Sequence, residues 1–268
     1  MDNRSKIVIL GVLLVACLGL TARFAVSLMV EMQTNRQGVE FYSALPVKFE
    51  QMPVPTEEPC LAISPEISET IGETETLEAI DAIEPRMDFD EMREKFPSIV
   101  GWIQSEGTPI NYPIMQGSDN DFYLHHLPDQ VPHAWGSIFL DYRNDFSGDC
   151  ILIYGHSMRS GDMFGSLRQY ANPGFFEAHP CMFIFTPERD FILQIFAGYV
   201  IDSAFEMPPM RFEDESSFCE FVADIRSRSV FSCDATPTFG DSIVFLATCT
   251  DSANTNERLI IAGYLQKM

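Results

Sequence analysis

The chain has 268 residues, of which 46% are hydrophobic and 12% aromatic, and its formal net charge is −22. This composition supplies enough apolar side chains for a sizeable core, which argues against wholesale disorder. The strong negative charge argues against nucleic acid as a partner, because the chain has few cations to neutralise a run of phosphates.

An apolar run opens the chain from Ile7 to Val30 and is interrupted by Arg23. The run is long enough for a transmembrane helix, which needs about 20 residues. Arg4 and Lys6 precede it, which predicts a cytoplasmic N-terminus and an extracellular remainder. Residues 1–30 are therefore predicted to be the cytoplasmic N-terminus and anchor of a single-pass protein of the cell membrane.

Two alternatives to a retained anchor stay open on the sequence. A cleaved signal peptide would begin in the same way, although no clean small-x-small cleavage site follows the run. The segment Leu14-Val15-Ala16-Cys17 also resembles a lipoprotein cleavage box. Against that interpretation, the apolar run continues past this cysteine with Leu18 and Leu20.

A strongly acidic segment separates the apolar run from the rest of the chain. Between Glu50 and Glu84 there are ten acidic residues and no Lys or Arg, and four prolines lie in the first half. Self-repelling charge combined with proline predicts an extended, mostly disordered tether. Residues 31–86 are therefore predicted to be an extracellular spacer, and residues 87–268 a folded catalytic domain.

The folded domain is predicted to be mainly β. Short apolar segments bounded by turn residues predict eight strands, at Ile99–Ile103, Ile110–Met115, Ser137–Tyr142, Cys150–Tyr154, Cys181–Thr186, Phe191–Ile201, Ser242–Thr248 and Arg258–Leu265. This density of short strands suggests a closed or nearly closed barrel. Helices are predicted at Asp88–Phe96, with Asp88 as N-cap, at Met163–Tyr170, and at Glu213–Arg228, whose apolar stripe is expected to pack against the barrel.

Two predicted strands end in side chains that can carry chemistry. Cys249 follows the apolar run that begins at Ile243, and a thiol at the end of a buried strand is a candidate nucleophile. His156 follows a similar run and Gly155, and imidazole can act as acid or base near neutral pH. Arg258 begins the last predicted strand, where its fixed charge would suit a developing oxyanion. Each of the three, taken alone, also fits a purely structural role.

The other cysteines and histidines give weaker signals. No CxxC motif occurs among the seven cysteines, so neither a zinc ribbon nor a thioredoxin-type pair is indicated. Three cysteines lie in or beside apolar runs and are expected to be small buried side chains: Cys150, Cys181 and Cys219. His125, His126 and His133 make a poor zinc site, because adjacent strand residues point to opposite faces. We therefore predict no metal and no cofactor.

Several blocks between Met87 and Leu265 resemble class B sortases, which are cysteine transpeptidases of Gram-positive bacteria. The blocks are Gly101–Ile103, Asp119–His126, Gly136–Asn144, Tyr154–Met158, Met163–Leu167 and Leu246–Cys249. The last block is similar to the sortase TLxTC signature, with Phe245 where the family usually has threonine. A helix before the cysteine strand is typical of class B.

The resemblance implies an eight-stranded sortase-type β-barrel in which His156, Cys249 and Arg258 are catalytic, with Asp251 and Thr248 as secondary candidates. It implies that the thiolate attacks a Thr–Gly bond in a C-terminal sorting-signal peptide of a secreted protein. An amine of a lipid II-like peptidoglycan precursor would then take over the acyl group and fix the protein to the cell wall. Two alternatives remain: a surface cysteine protease with water as acceptor, and a non-catalytic peptide-binding barrel.

Overall fold

The structure is a computed structural model that describes residues 3–45, 87–201, 208–249 and 258–268. The chain divides into two compact units, Met1–Pro46 and Val47–Met268, each of which is described by itself. The acidic segment from Glu50 to Glu84 lies outside the described residues, so its predicted extension stays a prediction.

The first unit is one long helix, α1, which spans Asn3–Ser43. Within its part from Leu13 to Ser43, an 18-residue window has a mean hydropathy of 2.1, so the helix is, by length and composition, able to cross a membrane. The helix continues beyond Val30, the end of the apolar run, because residues 31–43 contain no proline and include an ion pair at helical spacing between Arg36 and Glu40. The boundary between anchor and spacer stays a prediction.

The second unit is a closed barrel of eight strands. The strands are β1 (Ile99–Gln104), β2 (Asn111–Met115), β3 (Ile138–Leu140), β4 (Cys150–His156), β5 (Cys181–Phe185), β6 (Asp190–Ile201), β7 (Ile243–Cys249) and β8 (Arg258–Lys267). Their order around the barrel is β1-β2-β3-β4-β7-β8-β6-β5. The β2–β3 and β4–β7 pairs are parallel and the others are antiparallel. The predicted eight-stranded barrel is therefore confirmed.

In the described part of the second unit, three helices and one 3-10 helix accompany the strands: α2 (Phe89–Lys95), the 3-10 helix (Gly165–Ala171), α3 (Pro173–Ala178) and α4 (Glu215–Ser227). The predicted N-cap of α2 is confirmed, since the Asp88 carboxylate accepts the backbone N–H groups of Asp90 and Glu91 at 3.0 Å. The segment predicted as a helix from Met163 is instead a 3-10 helix. It is followed by α3, which the apolar pattern did not predict.

Helix α4 packs its apolar stripe as expected. Phe218, Val222 and Ile225 are buried, and the ring of Phe221 lies 6.1 Å from that of Phe245 on β7. A capping box between Asp214 and Ser217 fixes the start of the helix. The helix therefore contacts β7, the strand that ends in Cys249, through the Phe221 and Phe245 rings.

The longest strand pairing, between β6 and β8, contains a bulge. The register shifts between Ile195 and Ala197, and Gly263 lies opposite Ile195. A Cβ atom at Gly263 would approach the backbone oxygen of Gln194 to 2.8 Å and Leu193 Cδ1 to 2.7 Å. Glycine is needed here because two backbones approach closely at the bulge.

We expect Gly263→Ala to lower the free energy of unfolding by about 1–3 kcal/mol, the usual cost of overpacking. Urea denaturation of the full-length chain, followed by circular dichroism, measures this change. Gly174→Ala is the matched control, because a Cβ atom there would meet nothing within 4 Å. Equal stability of the two variants would contradict the proposed role of the close approach.

Candidate active site

The parallel pairing of β4 with β7 brings two of the predicted site residues together. Seven residue pairs lie in register, from Cys150 opposite Ile243 to His156 opposite Cys249. Neighbouring strands lie about 4.8 Å apart, so the backbones of the predicted base and nucleophile are as close as adjacent strands allow. Both strands are buried over residues 150–156 and 243–248.

Arg258 is the first residue of β8, the strand that pairs with β7. The antiparallel pairing of β7 with β8 places Ala247 opposite Ile260, and continuing this register by two residues places Cys249 opposite Arg258. On its other side, Arg258 pairs with Ile201 of β6. His156 and Cys249 are therefore paired directly, and the continued register would place Arg258 beside Cys249 on the adjacent strand β8.

Thr248 joins β7 to β8 just before this row. It is buried, and its hydroxyl lies 3.2 Å from both the backbone oxygen and the backbone nitrogen of Leu259. This geometry supports a structural role for Thr248, because the hydroxyl binds backbone on the neighbouring strand. Asp251 and the Cys249 side chain lie outside what the structure describes, so their predicted roles are not tested.

The His156 ring is held by a backbone carbonyl. The side chain is 4% exposed, and Nε2 lies 2.7 Å from the backbone oxygen of Leu124. A carbonyl oxygen can only accept a hydrogen bond, so Nε2 must carry the proton in this contact. In the neutral ring, Nδ1 is then the nitrogen that can accept a proton.

The backbone of His156 is held by a second contact. The N–H of Phe164 donates to the carbonyl oxygen of His156 at 2.9 Å. The preceding Gly155 has no room for a side chain, because a Cβ atom would lie 2.8 Å from Phe164 Cδ2 and 2.4 Å from Ile138 Cδ1. The histidine is therefore fixed through both its backbone and its ring.

Gly136 makes room for the carbonyl that binds His156. Its φ of +55° is in the left-handed region that favours glycine. A Cβ atom at this position would lie 2.4 Å from the backbone oxygen of Leu124. A larger residue at position 136 would therefore displace the acceptor of the His156 ring.

Two of the other cysteines differ in their surroundings. Cys150 lies buried in β4, as predicted, and burial raises the pKa of its thiol to about 12, which disfavours the nucleophilic thiolate. Cys219 is exposed on α4. The prediction that Cys219 is buried was wrong, because it lies off the apolar stripe that α4 turns toward the barrel.

The three histidines considered for zinc lie in the loop between β2 and β3. His126 stacks on Phe122 with ring centroids 4.1 Å apart, and its Nδ1 lies 2.7 Å from the backbone oxygen of Phe122. His133 Nδ1 accepts the backbone N–H of Trp135 at 3.2 Å. These contacts give both histidines local structural roles in the loop.

The site does not coincide with a concavity of about 1700 Å³ in the second unit. Its lining includes Asp241 and Ser242 before β7, and Gln266 and Lys267 at the end of β8. These residues lie at the barrel end opposite Cys249 and Arg258. The row of candidate residues is therefore located by strand register rather than by cavity size.

Sequence reasoning missed the groups that position His156. The Leu124 carbonyl belongs to the backbone, and no side chain signals its role. Asp141, Asn120 and Tyr154 form a hydrogen-bonded cluster beside the same strand. Asp141 follows an apolar strand, so the sequence could have marked it as a polar residue at a strand end. Its hydrogen-bond partners, however, are distant in sequence and could not have been found in this way.

No protein-family model matches the chain. Sortase B of Listeria monocytogenes is 33% identical over 185 residues, which cover 68% of this chain and 75% of that protein. The structure of a Staphylococcus aureus sortase B–substrate complex matches with a TM-score of 0.64 and 29% identity, over 67% of this chain and 85% of that one. A sortase B complexed with triglycine gives the same TM-score and identity, over 67% and 86%. Together with the barrel topology, these similarities show that the chain belongs to the sortase B family of transpeptidases.

Proposed function

We propose that the chain is a membrane-anchored cysteine transpeptidase in which Cys249 is the nucleophile, His156 the general acid and base, and Arg258 the oxyanion-stabilising cation. The observation that carries the proposal is the register that sets His156 opposite Cys249 and, by continuation, Cys249 opposite Arg258. Membership of the sortase B family supports the same reaction class.

In the first half of the reaction, the Cys249 sulfur attacks the carbonyl carbon of a Thr–Gly peptide bond in a sorting signal. The carbonyl oxygen becomes an oxyanion, whose charge Arg258 stabilises. Nδ1 of His156 takes the proton of the Cys249 thiol as the sulfur attacks, and then delivers it to the leaving glycine amine. The C–N bond breaks, and a thioester between Cys249 and the threonine remains.

In the second half, an amine of a peptidoglycan precursor attacks the thioester carbon. His156 removes a proton from the attacking amine, and the C–S bond breaks as the thiol is restored. The product is an amide that joins the secreted protein to the precursor. The Leu124 carbonyl keeps the proton of the neutral ring on Nε2. Nδ1 is therefore the nitrogen that accepts the proton of the amine.

Relatives support peptide ligands for both halves. One S. aureus sortase B structure is a complex with substrate, and another sortase B structure contains triglycine. By analogy, we infer that this chain accepts a sorting-signal peptide as donor and a peptide amine as acceptor. The lipid II-like acceptor and the Thr–Gly bond are parts of the proposal.

The proposed location is the outer face of the cell membrane. Helix α1 is apolar over a length sufficient to cross a bilayer, and Arg4 and Lys6 precede its apolar part. Basic residues favour the cytoplasmic side. The barrel would then lie outside the cell, where secreted clients and wall precursors are present.

We expect Cys249→Ala to abolish peptide cleavage and His156→Gln to lower kcat by about 10²–10⁴-fold, the usual contribution of a general acid–base. Arg258→Lys should lower kcat by about 10²-fold, since the ammonium is a point charge whereas the guanidinium can donate two parallel hydrogen bonds. Cleavage of a library of fluorogenic sorting-signal peptides, with mass spectrometry of the acyl adduct on Cys249, measures these effects. Cys219→Ala is the control and should retain activity; an adduct elsewhere would contradict the assignment of Cys249.

We expect an added amine to be incorporated into the product, because transfer requires a nucleophile other than water. Triglycine at increasing concentration should convert the released peptide acid into the triglycine adduct, as measured by liquid chromatography and mass spectrometry. Acetylated triglycine, which lacks the free amine, is the control. Hydrolysis product alone at every triglycine concentration would favour the cysteine protease.

We expect the mature protein to keep α1 and to stay in the membrane fraction. Detergent should release it, whereas high salt or alkaline carbonate should not, because an apolar helix is held by the bilayer interior. Intact-mass measurement of the extracted protein tests whether its N-terminus is retained. A mass that lacks the apolar segment would instead indicate a cleaved signal peptide or a processed lipoprotein.

A further inference from the structure

The carboxylate of Asp141 joins separate segments of the barrel beside His156. Asp141 follows β3, and its side chain is 0% exposed. Its Oδ1 accepts the backbone N–H and the Nε–H of Arg143, at 3.0 and 2.9 Å. Its Oδ2 accepts from Asn120 Nδ2 at 2.8 Å, from Arg143 Nη2 at 2.8 Å and from the Tyr154 hydroxyl at 3.1 Å.

The first of these segments is the loop of residues 119–126, which carries the acceptor of the His156 ring. Asn120 binds the Asp141 carboxylate through its amide nitrogen, and its amide oxygen accepts the backbone N–H of Tyr142 at 3.1 Å. Leu124 lies four residues further along the loop. Asp141 therefore fixes one end of the loop whose carbonyl holds His156.

The second segment is β4 itself. Tyr154, which donates to the Asp141 carboxylate, precedes His156 by two residues, so both side chains lie on the same face of the strand. One carboxylate thus connects the strand that carries the histidine with the loop that carries its acceptor. A substitution of Asp141 would therefore alter the position of the 119–126 loop relative to β4.

The groups around Asp141 strongly favour its ionised form. Burial alone would raise the pKa of the Asp141 carboxyl, but hydrogen bonds from Arg143 and Asn120 and the charge of Arg143 lower it to about 2. The carboxylate therefore stays charged at any pH near neutrality. Replacing Asp141 is costly because the donors of Asn120, Arg143 and Tyr154 would lose their acceptor.

We propose that Asp141 is a positioning residue for the transpeptidase reaction: its carboxylate ties the 119–126 loop to β4 and so keeps the Leu124 carbonyl against His156 Nε2. The inference rests on the proposed function of His156. Asp141 acts through the tautomer and orientation of the imidazole ring and does not contact the substrate.

The tautomer of His156 can be measured directly by nitrogen-15 NMR on the full-length chain in detergent. Selective labelling of the five histidines, with His156→Gln to assign the signal, separates Nε2–H from Nδ1–H rings. We expect wild-type His156 to hold its proton on Nε2. In Asp141→Asn we expect averaged tautomers and faster exchange of the ring N–H with water.

Two further variants separate positioning from general destabilisation. Asn120→Ala cuts the link to the loop but leaves the contacts of Asp141 with Arg143 and Tyr154, so it should shift the tautomer in the same way, even if Asp141→Asn fails to fold. Asp145→Asn is the matched control. Asp145 is also a carboxylate with a lowered pKa, through hydrogen bonds from the Ser147 hydroxyl and backbone, but it is exposed and those bonds stay within its own turn.

Activity completes the test. We expect Asp141→Asn to lower kcat by about 10- to 100-fold, the scale of a small misplacement of a catalytic group, with KM within about twofold and Asp145→Asn unchanged in both. An unaltered His156 tautomer in both Asp141→Asn and Asn120→Ala would overturn the inference, as would an altered tautomer with unchanged kcat. If the wild type transfers no peptide, the proposed function fails, and the NMR comparison alone then decides whether Asp141 positions the ring.

Discussion

The pairing of β4 with β7 is the contact on which the proposed chemistry depends. The two strands are neighbours in the barrel although more than 80 residues separate them in the sequence, and they run parallel over seven residue pairs. Residues 150–156 and 243–248 are buried on both faces of the strands, so a slip by one residue would exchange the side chains packed inside the barrel with those packed on its outer side. Hydrophobic burial therefore sets the register, and the register sets His156 beside Cys249.

The same barrel supports the histidine from several directions. The ring meets the Leu124 carbonyl, the backbone carbonyl meets the N–H of Phe164, and Gly155 lets the flanking side chains close in. None of these contacts involves a residue that is itself reactive. A group that must exchange protons in a fixed geometry benefits from such support, because a small misplacement of a catalytic group lowers the rate steeply.

In three places the structure differs from what the local sequence pattern predicts. The strand predicted from Ser137 to Tyr142 shortens to β3, because the Asp141 side chain turns into its own hydrogen-bonded cluster and the Tyr142 N–H binds Asn120 instead of a neighbouring strand. Helix α3 begins at Pro173, a residue favoured at the first turn, but its six residues are too few for a periodic apolar pattern. Cys219 lies near buried aromatic residues in sequence and is nevertheless exposed.

The sequence by itself determined the class of fold, most strand positions, an apolar N-terminal helix and the three residues proposed for catalysis. Apolar runs, turn residues and strand-end polar side chains are local properties, so they can be read along the chain. The tertiary structure alone decided which strands are neighbours, the pairing of His156 with Cys249, and the contacts of Leu124 and Asp141 with the histidine strand. Those features depend on groups that are distant in sequence and meet only when the barrel closes, and one of them is a backbone carbonyl that no side chain signals.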